Sequence, residues 1–253
     1  MNAGVLFFGV WPYLALVVFV VGHVWRWRTD QFGWTARPSG LSEKRWLGLG
    51  SPLFHGGALL VVLGHMGGLI VPASMTRALG VPDEVYHLVA ISMGLLSGVI
   101  FTVGAVLLAM RRFLLGTRIR IVTRPGDVVV YVILGLQIVF GFWETVGYSL
   151  LGALPGFDYR ESVSIWFRSV FYGNPAVELI SGAPLVFGVH AFIGFAIFAV
   201  WPFSRLVHVW SVPIGYLTRP LIVYRADAKV RRATNPVPHD APGARIAPTV
   251  RAR

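Results

Sequence analysis

Four histidines, His55, His65, His190 and His208, lie inside or at the ends of long apolar runs. An ionisable side chain in such surroundings is costly to bury without a task, and neutral imidazole is a good transition-metal ligand. His55 and His65 share the stretch SPLFHGGALLVVLGHMGG, and His190 and His208 bound the apolar stretch that begins at Phe187. Eighteen residues separate the second pair, which at ~100° per residue is five turns. A continuous helix would carry both rings on one face, about 27 Å apart. That is close to the ~30 Å hydrocarbon thickness of a bilayer. One such histidine alone is better explained by a hydrogen bond to a neighbouring helix. Two pairs ask for more.

The segments bearing these pairs run in opposite directions through a membrane. His65 then lies about 20 Å and His190 about 21 Å from the inner surface. His55, about 5 Å inside, and His208, just beyond the inner edge, match less closely, and a helix tilt of ~20° would absorb the difference. Two antiparallel helices with two histidines each, paired by depth, form the pattern of two stacked bis-histidine haems. With both axial positions taken by protein, such a centre has no place for substrate and carries electrons. Gly56, Gly57, Gly64, Gly67 and Gly68 flank the first pair and would remove bulk beside a planar porphyrin; on their own, they are better explained by close helix packing. Zinc fits less well, because four histidines at two depths do not converge on one tetrahedral site. The chain has no cysteine, which excludes disulfides, thiolate metal sites and covalent c-type haem. Any haem is non-covalent.

The elements that must hold these residues are membrane helices. Of 253 residues, 55% are hydrophobic and only 13% charged, far from a soluble composition, and nine Trp and sixteen Pro suit a membrane protein with interfacial aromatic belts. Five segments, roughly 5–25, 52–73, 88–110, 127–149 and 184–206, are long enough to span. The first has no basic flank before it and no small-residue cleavage site, so it reads as a retained helix rather than a signal peptide. Five of the Lys and Arg residues lie at 26–45, five at 111–124 and nine from Arg205 onward, whereas Arg77, Arg160 and Arg168 fall on the other side. The positive-inside bias puts the N-terminus outside and the C-terminus in the cytoplasm. The net charge of +11 is thereby explained by topology, and nucleic-acid binding is set aside. Within the 151–183 connector, Trp166, Phe167, Val170 and Phe171 share one helical face, which predicts a short helix lying on the outer interface. The expected fold is an all-α integral membrane protein, with a five-helix domain over 1–225, the four histidines between helices 2 and 5, and a flexible basic cytoplasmic tail over 226–253, rich in Pro, Ala and Arg.

The stretches WRTDQFGWTAR, SPLFHGGALLVVLGHMGG, LLAMRRFLLGTRIR and WPFSRLVHVWSVPIGYLTR resemble the gamma subunit of membrane-bound respiratory nitrate reductase, a five-helix di-haem cytochrome b. The resemblance runs from about Trp11 to Arg225, and both histidine pairs keep the family spacing. It implies two b haems, an inner one held by His55 and His208 and an outer one by His65 and His190. It also implies quinol oxidation near the outer haem, with electrons passed inward to an iron–sulfur (beta) subunit and a molybdenum (alpha) subunit that reduces nitrate. Such a chain is a multi-pass protein of a bacterial or archaeal cell membrane. Family members can carry a basic residue shortly before helix three, near the quinol; here VPDEVYHLVA places Tyr86 and His87 there. The quinol-site candidates are therefore Tyr86, His87, Glu144 and Gly64. His87 is equally explained as an exposed helix-end residue, and Glu144 as a carboxylate reaching the headgroups. Arg111, Arg112 and Arg205, at inner helix ends, are candidates to pair with haem propionates, although positive-inside topology explains them as well. Two other readings stand beside this one: a di-haem cytochrome of a sulfite- or heterodisulfide-type reductase, and a haem-free transporter or anchor with histidine proton relays.

Overall fold

The computed structural model describes residues 2–30, 45–115, 123–152 and 156–210. The segment 226–253, expected to be a flexible tail, lies outside the described residues. All regular structure in the described residues is helical. Five helices are long and apolar enough to cross a membrane: α1 Val5–Thr29, α2 Arg45–Ile70, α3 Asp83–Leu115, α4 Pro125–Leu150 and α5 Leu185–Phe203. Their starts follow from sequence. Pro82 and Pro184 stand at N-caps in extended conformation, and Pro125 occupies the first turn of α4, where a missing N–H costs nothing. Asp83 and Glu84 in the first turn of α3 complement its dipole. Gly80 takes φ +77 in the turn leading into α3, a conformation that suits glycine. Outward faces are apolar, with Leu59, Val62, Val20 and Val139 more than half exposed, as a lipid-facing surface requires.

Packing order follows from side-chain registers. Antiparallel α2 and α3 pack so closely that a Cβ at Gly57 would collide with the Phe101 backbone and one at Gly104 with that of Phe54. The α3 helix continues the array through Gly98 against Phe142 of α4, and α4 meets α5 through Gly141 and His190. The α5 helix runs parallel to α1: Trp11 Nε1 donates to the Phe192 carbonyl at 3.0 Å, and Gly22 lies against Pro202. The array thus runs α2–α3–α4–α5–α1, and α2 and α5 share no extended packing surface.

Two sequence expectations need correction. The helix carrying His190 does not continue to His208. Regular α-helix ends at Val200, Trp201–Phe203 form a 3₁₀ turn around Pro202, Ser204 is extended, and a second 3₁₀ turn spans Arg205–Val209. Proline removes a helical donor and clashes with the preceding turn, and the Ser204 side chain accepts from the Leu206 N–H to restart the chain. The five-turn, one-face geometry is therefore wrong. The connector helix does form, at Val163–Phe171, but Trp166, Phe167, Val170 and Phe171 do not share one exposed face. Trp166 is 1% exposed, donates to the Phe8 carbonyl at 3.0 Å and meets Phe8 and Phe195 edge-on, while Phe171 faces outward.

Candidate metal centre

Each histidine of α2 faces one from the α5 side. His65 and His190 have ring centres 6.0 Å apart, with planes inclined by 14°; His55 and His208 are 5.8 Å apart and nearly perpendicular, at 84°. Two imidazoles on opposite sides of one metal, each bonded at about 2 Å, put their ring centres about 6 Å apart. Both pairs have the span of an axial bis-imidazole site. The bend at Ser204 is what brings His208 to His55, so the imperfect depth match of an unbroken helix disappears. Nδ1 of His55 donates to the Ser51 carbonyl at 2.8 Å, that of His65 to Val61 at 2.8 Å, and that of His208 to Arg205 at 2.5 Å. A proton on Nδ1 leaves the Nε2 lone pair for a metal and fixes the ring's direction. Among the described residues no cluster of three or more His, Asp or Glu side chains gathers into a metal site, so the pairs stay separate.

The glycines divide into two groups. Gly57 serves helix contact, and Gly68 abuts the Tyr159 hydroxyl, which would lie 3.2 Å from an added Cβ. At Gly56, Gly64 and Gly67 an added Cβ would meet nothing within 4 Å. Those three lie within two residues of His55 or His65 in sequence, and the space beside them is open. The residues present fit a haem at each level.

At the His55–His208 level two of the candidate arginines converge on a residue that sequence reasoning missed. Arg112 Nη1 donates to Asp127 Oδ2 at 3.0 Å and Arg205 Nε to Oδ1 at 2.6 Å, while the Arg124 N–H donates to Oδ2 at 3.1 Å. Arg112 and Asp127 are buried, as is Arg111. Asp127 thereby ties the end of α3 to the start of α4 and, through Arg205, to the carbonyl that holds His208. Its signal was present in sequence: an acid at the third position of a helix opened by Arg-Pro can accept from the N-cap N–H. Arg112 and Arg205, expected as propionate partners, share this carboxylate.

The four quinol-site candidates separate. Tyr86 points to α2: its hydroxyl donates to the Gly67 carbonyl at 3.3 Å, and the Arg160 guanidinium lies 3.6 Å above its ring. Burial and a hydrogen bond with Tyr86 push the Tyr159 phenol upward from its ordinary pKa. His87 faces the other way, 3.8 Å from Asp158, and lines a cavity of about 260 Å³ with Ile91, Tyr148, Phe157, Tyr159 and Phe187. This cavity adjoins the His65–His190 pair, because Phe187 is one turn before His190 and Tyr159 touches Gly68 one turn after His65. Glu144 lies in a π-helical stretch, Trp143–Leu150, with Oε1 buried and lacking a hydrogen-bond partner among the described residues. Gly64 borders the open side of α2 beside His65. Gln137, which sequence reasoning also missed, approaches His190 from α4.

The sequence profile of the nitrate reductase gamma subunit family matches residues 4–227. The nitrate reductase gamma chain of Bacillus subtilis is 42% identical over 223 residues, which cover 88% of this chain and 98% of that one. The respiratory nitrate reductase 1 gamma chain of Escherichia coli is 36% identical over 222 residues, 87% of this chain and 96% of that one. The nitrate reductase-like protein NarX of Mycobacterium tuberculosis is 44% identical over 224 residues; these cover 88% of this chain and 34% of that relative, so the chain spans about a third of its length.

Proposed function

The chain belongs to the nitrate reductase gamma subunit family, and from that premise we propose that it is the quinol-oxidising cytochrome b subunit of a respiratory nitrate reductase in a bacterial membrane. His65 and His190 would hold an outer b haem, and His55 and His208 an inner one. Bound there, the haems supply one-electron transfer across the membrane without a coordination position for substrate. The observation that carries this reading is the pair of imidazole couples, 6.0 and 5.8 Å between ring centres, one joining α2 to α5 and the other joining α2 to the 3₁₀ turn that follows α5.

The protein's own residues divide the remaining work. The cavity beside His87 receives the quinol head: Ile91, Phe157 and Phe187 offer apolar walls, and Tyr148, Tyr159 and His87 offer polar edges. His87, backed by Asp158, accepts a quinol proton, since an imidazole beside a carboxylate is a competent base. Glu144 is a second acceptor on the same side, and Tyr86 fixes the end of α2 next to His65. The cation bias places this cavity outside and the Asp127 cluster at the cytoplasmic face. There the chain would meet the iron–sulfur and molybdenum subunits. The test is haem extracted from purified protein with acidic acetone: two equivalents per chain are expected, and a value near zero in well-expressed protein overturns the reading.

A further inference from the structure

Three of the four histidines fix their rings with their own backbone. Nδ1 of His55 and His65 donates to the carbonyl four residues earlier, and that of His208 to the carbonyl three residues earlier. His190 is arranged differently. The group at its Nδ1 is the side-chain amide of Gln137, reaching across from α4. One terminal atom of that amide lies 3.0 Å from Nδ1 and 3.1 Å from the His190 carbonyl oxygen, and the other lies 3.2 Å from Gly194 N. Small residues on both helices permit this approach. A Cβ at Gly141 would lie 3.3 Å from His190 Cε1, and one at Gly194 would lie 3.2 Å from the Gln137 amide.

The amide can present either end. With its NH₂ toward His190 it donates to the carbonyl and to Nδ1, and its oxygen accepts from the Gly194 N–H. Nδ1 is then an acceptor, so the neutral imidazole carries its proton on Nε2, where a metal would have to bind. With Oε1 toward His190, Nδ1–H donates to it and the Nε2 lone pair is free. Oε1 then also faces the His190 carbonyl oxygen at 3.1 Å and the NH₂ faces the Gly194 N–H at 3.2 Å, so a metal bond at Nε2 has to offset those two like contacts. Resting on the reading of His190 as an outer haem ligand, we propose that Gln137 is the positioning residue of that ligand. Its carbonyl holds His190 in the Nδ1–H tautomer, and the amide turns about its last bond to do so. An acceptor at Nδ1 raises the basicity of a bound imidazole and favours the oxidised metal. For the other three histidines that acceptor is a carbonyl fixed by the backbone; for His190 it is a replaceable side chain. Gln137 therefore tunes the outer potential independently of the inner one.

The test is a redox titration of both haems in the complete complex, with the outer one assigned by repeating it in a His208→Ala background. Gln137→Leu removes the acceptor and should shift the outer potential upward; Gln137→Glu supplies a stronger one and should shift it downward. The inner potential should stay put in both. Shifts of the same sign, or none, overturn the proposal. If the leucine variant fails to retain the outer haem, the near-isosteric glutamate variant decides. Loss of that haem from the glutamate variant as well also overturns it, because an acceptor is still present. A wild-type chain without haem instead overturns the underlying reading, so the two failures are distinguishable.

Discussion

At the scale of single residues, the four histidines do not carry equal structural burdens. His190 projects from a regular helix and packs against Gly141, whereas His208 stands on a short 3₁₀ turn after a break, oriented by the Arg205 carbonyl. Replacing His208 by Ala should cost the inner haem and leave the outer one, because His65 and His190 are untouched. Quinol should still reduce the remaining haem, while quinol-dependent nitrate reduction by the complex collapses and reduction by an artificial donor to the soluble subunits persists. His190→Ala should block quinol-dependent haem reduction at its first step. Comparing quinol-reducible haem in the two variants checks the order; the reverse pattern would place the quinol on the other side. The histidines themselves were legible in sequence because charge-capable groups are scarce in apolar runs. Gln137 was not legible: a neutral amide in a membrane helix has many uses, and only the register of α4 against α5 reveals its partner. Nor did adjacency at Tyr86 and His87 reveal that successive helical side chains point ~100° apart and serve different neighbours.

At the scale of elements, the sequence located all five spans, since length and apolarity are sufficient for that, but it misplaced their ends. The ends are set by capping and by proline. The α5 helix looked continuous because its apolar character outlasts its helical geometry; Pro202 and Ser204 end the helix while Val207 stays buried. The glycines of α2 and α3 were ambiguous in sequence because bulk removed for a neighbouring helix and bulk removed for a cofactor leave the same residue. The structure separates them, and substitution tests the separation. Gly104→Val forces a side chain into the Phe54 backbone and should cost about 2 kcal/mol, seen as a lowered unfolding temperature in detergent even in cofactor-free protein. Gly56→Val meets no atom of the described residues within 4 Å of its Cβ and should change stability by no more than about 0.5 kcal/mol, while reducing haem content. Equal destabilisation by both would show that the open face of α2 is a packing face.

At the scale of the whole molecule, the five described spans form an array with α2 at one end and α1 at the other. The α2–α3 contact is tight, α3, α4, α5 and α1 follow in sequence, and among the described residues α2 and α5 share no extended packing surface. Both histidine pairs join α2 to the α5 side. A metal bond on each side would act as a rivet joining the earliest-made half of each site to the latest, since α2 is synthesised well over a hundred residues before His190. Neither histidine pair can meet before His190 and His208 have been made, so haem loading at the proposed sites would follow their synthesis. The unriveted chain keeps a polar seam within reach of membrane proteases. Cells starved of haem precursor should therefore accumulate much less of this chain at unchanged synthesis, measurable as a shortened pulse–chase half-life that recovers when the precursor is restored. An unchanged half-life would mean that the seam is closed by other means. On the proposed haem sites, the gap between two helices would make cofactor supply a control on protein turnover.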